Sequence, residues 1–448
     1  LSGVTTTIRA MKSPIAAAIP SLFILFRNQS VIGIKITVIT RARVRILRYG
    51  KKRTAVMRPV RIVAPKIKRV SLSIVFIGTE YHINHATILI MKVSTDSSII
   101  EEILSRSVSA LYPNKEALKK ALESGEQLTI YNGIDPTADY VHLGHSTNYL
   151  LLDRLHKLGH KIIVLVGDFT AMIGDPTDKE AARVQLTSED IQKNLASFKE
   201  QIGKILDFED TENPIEFTFN SEWLKKLNFE DLIKLASNFT VQQMLERDMF
   251  EKRIKEQSPL YVHEFFYPLM QGYDSVALDV DMEIGGTDQT FNMLAGRTLL
   301  KRYKDKEKMV ITTTLLENPA TGKKMMSKSE GTGISLNDSP DDMFTKTMKL
   351  PDEGIAQVFI DCTQLSLDEI ESKKKEAKDD RDLKLMLAQE IVSMYYSEKE
   401  ATEAQEKWIA IFSEGEIPKD IPVCEVSENT SLVEALTLSE HASSKSEA

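Results

Sequence analysis

This 448-residue chain has few cysteines and no long apolar run near its start. Both features limit the classes of protein to which it can belong. The longest apolar run near the start, residues 15–26, is interrupted by Pro20 and Ser21. It is shorter than the roughly 20 residues that span a bilayer. Two cysteines, Cys362 and Cys424, provide neither a disulfide framework nor a thiolate metal cluster. We therefore expect a protein of a reducing compartment, with no membrane partner and no metal site.

The two common glycine-rich phosphate loops are also absent, since the chain contains no GxxxxGK[ST] and no GxGxxG sequence. If the protein binds a nucleotide, the groups that hold its phosphates must come from other loops.

Acidic residues are nearly absent from residues 1–90, which contain 16 lysines and arginines and one acid, Glu80. The whole chain nevertheless has a formal net charge of −8, so the remainder is strongly acidic and must bind any RNA through local basic patches. We expect residues 1–90 to be a non-native or disordered extension, because they show no helical amphipathicity and begin with Leu1. An organelle presequence and a basic RNA-binding arm are the alternatives.

Residues 91–336 have the hydrophobic pattern of a doubly wound α/β domain. Leu151, Leu155 and Leu158 recur at helical spacing, and KIIVLVG then forms a continuous apolar run, typical of a strand buried on both faces. With the preceding strand QLTIYNG they make a βαβ unit, and PIEFTF and KMVITTTLL predict further strands. In such a Rossmann-like parallel sheet, ligands bind beyond the carboxyl ends of the strands.

The composition changes near the end of this domain. Residues 337–413 are rich in Lys, Glu, Asp, Leu and Met, which predicts an α-helical domain. Residues 414–430 are expected to be a linker. Residues 431–448 are expected to be a further amphipathic helix, the truncated beginning of another domain.

Two histidines flank a glycine at the predicted strand-to-helix turn, in the sequence His142-Leu143-Gly144-His145. Backbone N–H groups and the helix dipole attract anions there, and a glycine lets a phosphate approach the backbone. Two imidazole N–H groups can donate to a phosphate whose charge grows in a transition state. Two polar residues at a helix start, or a metal pair, are the simpler explanations, but no ligand cluster completes a metal site.

A second motif, KKMMSKSEGTG, supplies Lys323, Lys324 and Lys328 together with Ser327 and Ser329. Most lysine runs are solvated loops. Its occurrence after the paired histidines, in one α/β chain, favours a nucleotide clamp built by two distant loops.

Four blocks together resemble the class I aminoacyl-tRNA synthetases, specifically the bacterial-type tyrosyl-tRNA synthetases. They are YNGIDPTADYVHLGH, GDFTAMIGDPTDKEAAR, YPLMQGYDSVALDVDMEIGGTDQTFN and KKMMSKS. The resemblance extends roughly from Met91 to Ala448. It implies that tyrosine, ATP and tRNA-Tyr are substrates, that Mg²⁺ accompanies the ATP phosphates, and that the protein is cytoplasmic.

The same resemblance implies an anticodon-binding role for residues 337–413 and an S4-like RNA-binding domain beginning at residues 431–448. SNFTVQQMLERDMFEKR resembles the segment through which family members form a homodimer. The first lysine of the family's KMSKS signature falls on Met325, one residue after Lys324.

The resemblance also implies roles for individual residues. Tyr131 and Asp274 match the pair that binds the substrate phenol, and a carboxylate is a suitable acceptor for that hydroxyl. The implied tyrosine-binding set is Tyr131, Asp135, Thr170, Asp175, Tyr267, Gln271, Asp274 and Gln289. The implied ATP-binding set is Gly133, Thr137, His142, Gly144, His145, Gly285, Gly286, Asp288, Ser327, Lys328 and Ser329. The implied catalytic set is His142, His145, Lys179, Arg183, Lys324 and Lys328.

Three other functions remain open at this point. A tryptophan-specific relative is disfavoured by GGTDQ together with Tyr131 and Asp274. A non-catalytic, synthetase-derived RNA-binding protein is disfavoured by the full set of activation residues, although Met325 departs from it. A nucleotidyltransferase of the same fold would leave Tyr131 and Asp274 unexplained.

Overall fold

The structure is a computed structural model, and two compact units can be distinguished in it. It describes residues 93–176, 186–246, 248–326, 333–413, 426–427, 430–439 and 442–448, together with the backbone of four short strands between residues 21 and 81. One unit extends to Glu317 and includes Ile360–Cys362, and the other comprises Asn318–Phe359 and Thr363–Ala448.

The regular elements are as follows. The strands are β1 (Ser21–Arg27), β2 (Arg43–Tyr49), β3 (Ile74–Phe76), β4 (Thr79–Tyr81), β5 (Val108–Tyr112), β6 (Thr129–Ile134), β7 (Lys161–Val166), β8 (Glu216–Phe219), β9 (Met282–Gly286) and β10 (Met309–Thr313). The helices are α1 (Ser97–Ile103), α2 (Lys115–Leu122), α3 (Leu143–Lys157), α4 (Ser188–Leu195), α5 (Phe198–Gly203), α6 (Ser221–Leu224), α7 (Phe229–Ala236), α8 (Val241–Leu245), α9 (Asp248–Lys255), α10 (Tyr267–Leu278), α11 (Thr290–Lys304), α12 (Pro340–Met348), α13 (Ile355–Cys362), α14 (Leu367–Glu376), α15 (Asp380–Tyr395), α16 (Glu398–Phe412) and α17 (Leu432–Leu438).

The first unit is built on a six-stranded sheet with the order β5-β10-β9-β6-β7-β8. Strands β10, β9, β6, β7 and β8 are parallel, which confirms the predicted doubly wound fold. The edge strand β5 is antiparallel to β10, a feature that the sequence pattern did not predict. The chain runs outward from β6 through β7 to β8 and then returns to the other side of β6 as β9. This reversal creates the crevice at which such sheets bind ligands.

Strand β7 and helix α3 form much of the core beside that crevice. All residues of β7 after Lys161 are buried, as expected for a strand covered on both faces. In α3, Leu151 and Leu155 are buried, and Leu158 follows directly after the helix, so the helix predicted from their spacing is confirmed. The burial of these apolar side chains is the main force that fixes α3 at the end of β6.

Helices α10 and α11 pack closely because glycines lie at their contact. A Cβ atom on Gly272 would lie 2.8 Å from Leu299 Cδ1 and 3.1 Å from the backbone nitrogen of Gly296. Side chains at these two positions would push the helices apart. The close approach brings the polar residues of α10 over β9 and β10.

The second unit is helical, as predicted for residues 337–413. Helices α12, α15 and α16 pack against one another. Phe344 of α12 and Leu387, Ile391 and Val392 of α15 are buried between them. Side-chain oxygens of Ser339, Asp379 and Ser397 accept hydrogen bonds from backbone N–H groups and cap the three helices at their starts.

Three predicted segments are described only in part. Strand β1 pairs with β2 in parallel and β3 with β4 antiparallel, whereas the rest of residues 1–92 lies outside the described residues. Most of the predicted linker, residues 414–430, also lies outside them, and α17 falls within residues 431–448. The described helices include none long and apolar enough to cross a membrane.

Candidate active site

Polar side chains follow the carboxyl ends of four neighbouring parallel strands. Asp135 follows β6, Thr170 lies in a single 3₁₀ turn after β7, Asn220 follows β8, and Gln289 lies in a 3₁₀ turn after β9. Because these strands are parallel and adjacent, their carboxyl ends meet at one edge of the sheet. Side chains from distant parts of the sequence therefore lie together there, on both sides of the β6–β9 reversal.

Tyr131 lies in β6 with its hydroxyl group inside a fully buried polar cluster. Its Oη is 2.9 Å from Ser275 Oγ of α10, and the Lys308 ammonium is 6.0 Å from the centre of its ring. Lys308 also forms an ion pair with Glu283 of β9, the residue that lies opposite Tyr131 in the β6–β9 register. Burial and the nearby charges of Glu283 and Asp274 raise the pKa of Tyr131, so its hydroxyl keeps its proton.

Asp274, one helical position before Ser275, is buried and held by two donors. Trp223 Nε1 donates to its Oδ1 at 2.7 Å, and Asn220 Nδ2 donates to its Oδ2 at 3.3 Å. Burial raises the pKa of Asp274 well above its usual range, whereas these two hydrogen bonds act in the opposite direction. The carboxylate is therefore fixed in place with its lone pairs only partly used.

A second acidic side chain, Asp135, lies in a neighbouring hydrogen-bonded group that Asn220 links to the first, because Asn220 Nδ2 also donates to Thr170 Oγ1 at 3.0 Å. Thr170 Oγ1 donates to its Oδ1 at 2.7 Å, and the Tyr267 hydroxyl donates to its Oδ2 at 2.9 Å. A Cβ atom on Gly167 would collide with both Asp135 and Thr170, so only glycine allows this contact. Burial raises the pKa of Asp135 to about 7, and the charges of Asp175 and Asp168 act in the same direction.

Two further hydrogen bonds involve β9 and the turn that follows it. Gln289 Nε2 donates to Asp175 Oδ2 at 2.7 Å, and Gln271 Nε2 donates to Glu283 Oε1 at 3.2 Å. The Oε1 atom of Gln271 is buried, and none of the described residues donates a hydrogen bond to it. An unsatisfied buried acceptor of this kind suits a cationic ligand group.

The paired histidines lie where the sequence predicts them, at the start of α3. His142 is the N-cap and His145 is the third residue of the helix, and their rings stack with centroids 3.6 Å apart. A Cβ atom on Gly144 would lie 3.0 Å from the His142 ring, so the glycine allows the ring to fold over the turn. The backbone N–H of His142 donates to His145 Nδ1 at 3.3 Å, which leaves the proton of the neutral His145 ring on Nε2.

The glycines assigned to ATP differ in their surroundings. A Cβ atom on Gly133 would meet no atom of the described residues within 4 Å, so their packing does not require glycine there. A Cβ atom on Gly285 would lie 3.0 Å from Met293 Sδ, and one on Gly286 would lie 2.7 Å from Asp288 Oδ1. Asp288 is exposed, and the backbone N–H of Thr137 donates to the carbonyl oxygen of Asp135.

Five residues of the predicted phosphate-binding set lie outside the described residues: Lys179, Arg183, Ser327, Lys328 and Ser329. Within the second unit, Lys324 is exposed, whereas Met325 is only 6% exposed and packs against Gly354. Met325, at the position of the family's first lysine, is therefore part of the core of its own unit.

Sequence reasoning missed five residues that surround the predicted ones: the partly buried Trp223 and the buried Asn220, Ser275, Glu283 and Lys308. Two of them leave a detectable signal. Glu283 interrupts the otherwise uncharged strand MEIGG, and Lys308 immediately precedes the apolar strand MVITT. A charge within or beside a central parallel strand is usually buried and therefore paired, so such positions mark a candidate site.

Comparisons with known proteins agree on one family. A family model described as tRNA synthetases class I (W and Y) matches residues 123–413. Tyrosine–tRNA ligase 2 of Clostridium acetobutylicum is 46% identical over 338 residues, covering 75% of this chain and 83% of that protein. The tyrosine–tRNA ligase of Thermotoga maritima is 42% identical over 351 residues, covering 78% and 86%.

Solved structures show the same fold. A C-terminally truncated mitochondrial tyrosyl-tRNA synthetase of Aspergillus nidulans matches with a TM-score of 0.58 at 22% identity, covering 70% of this chain and 98% of that one. The tyrosyl-tRNA synthetase of Archaeoglobus fulgidus, complexed with L-tyrosine, matches with a TM-score of 0.54 at 23% identity, covering 69% and 100%.

The fold and the family model define the class as the class I aminoacyl-tRNA synthetases. With relatives 42–46% identical over most of its length, the chain belongs to the bacterial-type tyrosyl-tRNA synthetases, which are tyrosine–tRNA ligases.

Proposed function

We propose that this enzyme activates tyrosine with ATP to form tyrosyl-adenylate and pyrophosphate, and then transfers the tyrosyl group to tRNA-Tyr. The observation that carries the choice of amino acid is the buried pair Tyr131 and Asp274. An uncharged tyrosine hydroxyl and a positioned carboxyl group can together bind a phenol through both of its hydrogen-bonding functions.

In the first step, a carboxylate oxygen of tyrosine forms a bond to the α-phosphorus of ATP, and the bond from that phosphorus to pyrophosphate breaks. His142 and His145 donate N–H groups to the phosphate oxygens as their charge grows, together with Lys179, Arg183 and Lys328. Lys324 takes the place of the family's first lysine, since it is exposed and Met325 is buried. Positioning and charge stabilisation dominate such a reaction. Mg²⁺ would accompany ATP, with the ATP phosphate oxygens as its main ligands, and would supply further charge stabilisation there.

In the second step, the terminal ribose hydroxyl of tRNA-Tyr attacks the acyl carbon, and AMP leaves. We assign tRNA contacts to the helical domain, residues 337–413, and to an S4-like segment beginning at residue 431. We propose the cytoplasm as the compartment, since a chain with two cysteines and no disulfide framework suits a reducing environment.

The substrate ammonium group is assigned to Thr170, Asp175, Tyr267 and Gln271. The buried Oε1 atom of Gln271 supports this assignment, because an ammonium group would supply the hydrogen bond that the described residues do not. Gln289, through its contact with Asp175, and Asp288 are assigned to the carboxylate and the ribose. Gly133, Gly285 and Gly286 are assigned to the nucleotide, and Gly133 best fits this role because no atom of the described residues lies within 4 Å of a Cβ placed there.

The experiment that tests the amino-acid assignment is tyrosine-dependent ATP–pyrophosphate exchange, run in parallel with tryptophan and phenylalanine. We expect exchange with tyrosine only. A site with groups committed to a phenol leaves them unsatisfied when phenylalanine binds, a principle for which this enzyme family is itself the standard example. Exchange with tryptophan at a comparable rate would contradict the assignment.

We also propose that the enzyme is a homodimer that associates through the surface of α7, α8 and α9. This surface carries large exposed apolar side chains, including Phe229 at 77% and Val241 at 68% exposure. Several exposed apolar residues on adjacent helices are typical of an interface between copies. In sedimentation velocity, Val241→Asp should dissociate the dimer, whereas Leu367→Asp, on the exposed face of α14, should not. A wild-type monomer would refute the proposal.

A further inference from the structure

The ion pair between Lys308 and Glu283 is buried beside Tyr131, one of the two residues assigned to the substrate phenol. Lys308 is fully buried just before β10, and Glu283 is almost fully buried in β9. Removing two charges from water is costly, and an uncharged pair of similar volume often stabilises a fold equally well. Stability alone therefore does not explain a buried lysine and glutamate at this place.

The donors and acceptors available in this cluster determine which atom donates in each hydrogen bond among Lys308, Ser275 and Tyr131. An ammonium group can only donate, and Lys308 Nζ lies 2.9 Å from Ser275 Oγ, so Ser275 is the acceptor of that bond. The proton of Ser275 must then go to another atom. Tyr131 Oη is 2.9 Å away, whereas Glu283 Oε2 is 3.5 Å away, beyond the usual range for a hydroxyl donor.

The carboxylate oxygens of Glu283 already have donors of their own. Gln271 Nε2 donates to Oε1, and Lys308 pairs with Oε2. Ser275 therefore donates to Tyr131, and the Tyr131 hydroxyl keeps its own proton for another acceptor. Glu283 is one such acceptor within the cluster, since a hydrogen bond to it contributes to the raised pKa of Tyr131. Asp274 is held by Trp223 and Asn220, which are not part of this chain of hydroxyl groups, and it is suited to accept a hydrogen bond from a phenol.

We infer that Lys308 and Glu283, acting through Ser275, are positioning residues that make Tyr131 a hydrogen-bond donor to the substrate phenol. The hydrogen bonds then run in one direction, from Lys308 through Ser275 and Tyr131 to the phenol, and from the phenol to Asp274. The inference rests on the proposed function, because it assigns the phenol to Tyr131 and Asp274. Phenylalanine has no hydroxyl group and would interrupt this series of hydrogen bonds. The ion pair therefore contributes to the selectivity for tyrosine over phenylalanine.

The test compares the dissociation constants of tyrosine and phenylalanine, with phenylalanine measured as a competitor of tyrosine. Ser275→Ala removes the link, and the double variant Lys308→Met/Glu283→Gln removes both charges while preserving volume. We expect each to weaken tyrosine binding about tenfold and to leave phenylalanine binding unchanged. The matched control is Thr312→Val, which removes a buried hydroxyl on β10 outside the cluster and should keep the selectivity of the wild-type enzyme.

A thermal unfolding curve for each variant separates selectivity from folding. Loss of tyrosine and phenylalanine binding in parallel, or full selectivity in the uncharged double variant, would overturn the inference and leave the ion pair a purely structural feature. If the double variant does not fold, the tyrosine and phenylalanine affinities of Ser275→Ala alone decide whether the inference holds. Failure of the wild-type enzyme to bind tyrosine would instead refute the proposed function, so the two failures are distinguishable.

Discussion

The phenol cluster around Tyr131 and the histidine turn at the start of α3 differ in how far the protein encloses them. Tyr131 and Asp274 are buried, and each is fixed by hydrogen bonds to other side chains. His142 and His145 are only half-buried, stack on each other, and lie on a turn where Gly144 carries no side chain. The first region is part of the hydrophobic core, and the second lies at its surface.

This difference corresponds to two tasks. Selecting tyrosine requires polar groups that are rigid and shielded from water. A mobile or hydrated group would find hydrogen-bond partners other than the substrate. Contacting ATP requires access for a large anion and release of pyrophosphate. The described residues therefore support an enzyme in which selectivity is built into the core and group transfer is assigned to turns and loops. Substitutions in the two regions should affect different kinetic quantities.

The largest expected effect belongs to the turn. His145→Ala should lower the rate of adenylate formation by about two to three orders of magnitude, because one preorganised donor to the growing charge is lost. Tyrosine affinity should change little. The measurement is ATP–pyrophosphate exchange at varied tyrosine, and the control is His156→Ala, near the other end of α3. Equal losses in rate and affinity would remove His145 from the transition-state role.

Asp274→Asn should have the next largest effect, on affinity. The variant keeps the shape of the side chain but replaces a carboxyl oxygen with an amide NH₂ group that cannot accept from the phenol, so tyrosine binding should weaken about ten- to a hundredfold. Calorimetric titration with tyrosine measures this. Asp279→Asn, at the end of the same helix, should bind normally because asparagine tolerates the left-handed backbone there. A variant of Asp274 with unchanged affinity would contradict the assignment of the phenol.

Trp223→Phe tests the comparison between the buried cluster and the turn more finely. Trp223 contacts Asp274 and is not assigned to the substrate itself. Loss of the Nε1–H donor frees the carboxylate to move, and tyrosine binding should weaken about three- to tenfold. The matched substitution Trp408→Phe in the helical unit should have no effect on the same titration. A change in the rate of adenylate formation without a change in affinity would not fit this role.

The smallest expected effect is a proton released on binding. Burial raises the pKa of Asp135 to about 7, so near pH 6.5 the free enzyme holds a proton there. The ammonium group of tyrosine should favour the carboxylate and displace that proton. Titrations in two buffers of different ionisation enthalpy should detect the release, and Asp135→Asn should abolish it. Identical proton release in that variant would assign the proton to another group.

The same pKa has a consequence for stability. The folded protein keeps a proton on Asp135 that the unfolded chain loses near pH 4. The contribution of this group to the free energy of unfolding therefore falls as the pH rises from about 4 to 7. Asp135→Asn should remove that part of the pH dependence.

The sequence predicted most of the fold because its strongest patterns are local. The apolar run of β7, the helical spacing in α3 and the glycine between His142 and His145 each reflect neighbouring residues. The antiparallel edge strand β5 was missed, since its direction depends on β10, about two hundred residues later. Lys308 and Ser275 were missed for the same reason, because only the packing of α10 and α11 on the sheet brings them together.

The separation of selectivity from group transfer is tested most directly by single-turnover adenylate formation in the double variant Asp274→Asn/His145→Ala. Varied tyrosine concentrations yield a dissociation constant and a rate constant from the same experiment. We predict that the double variant shows the weaker binding of the first substitution and the slower rate of the second, with the two losses adding. A substitution that alone changes both constants, or losses that do not add, would contradict the account.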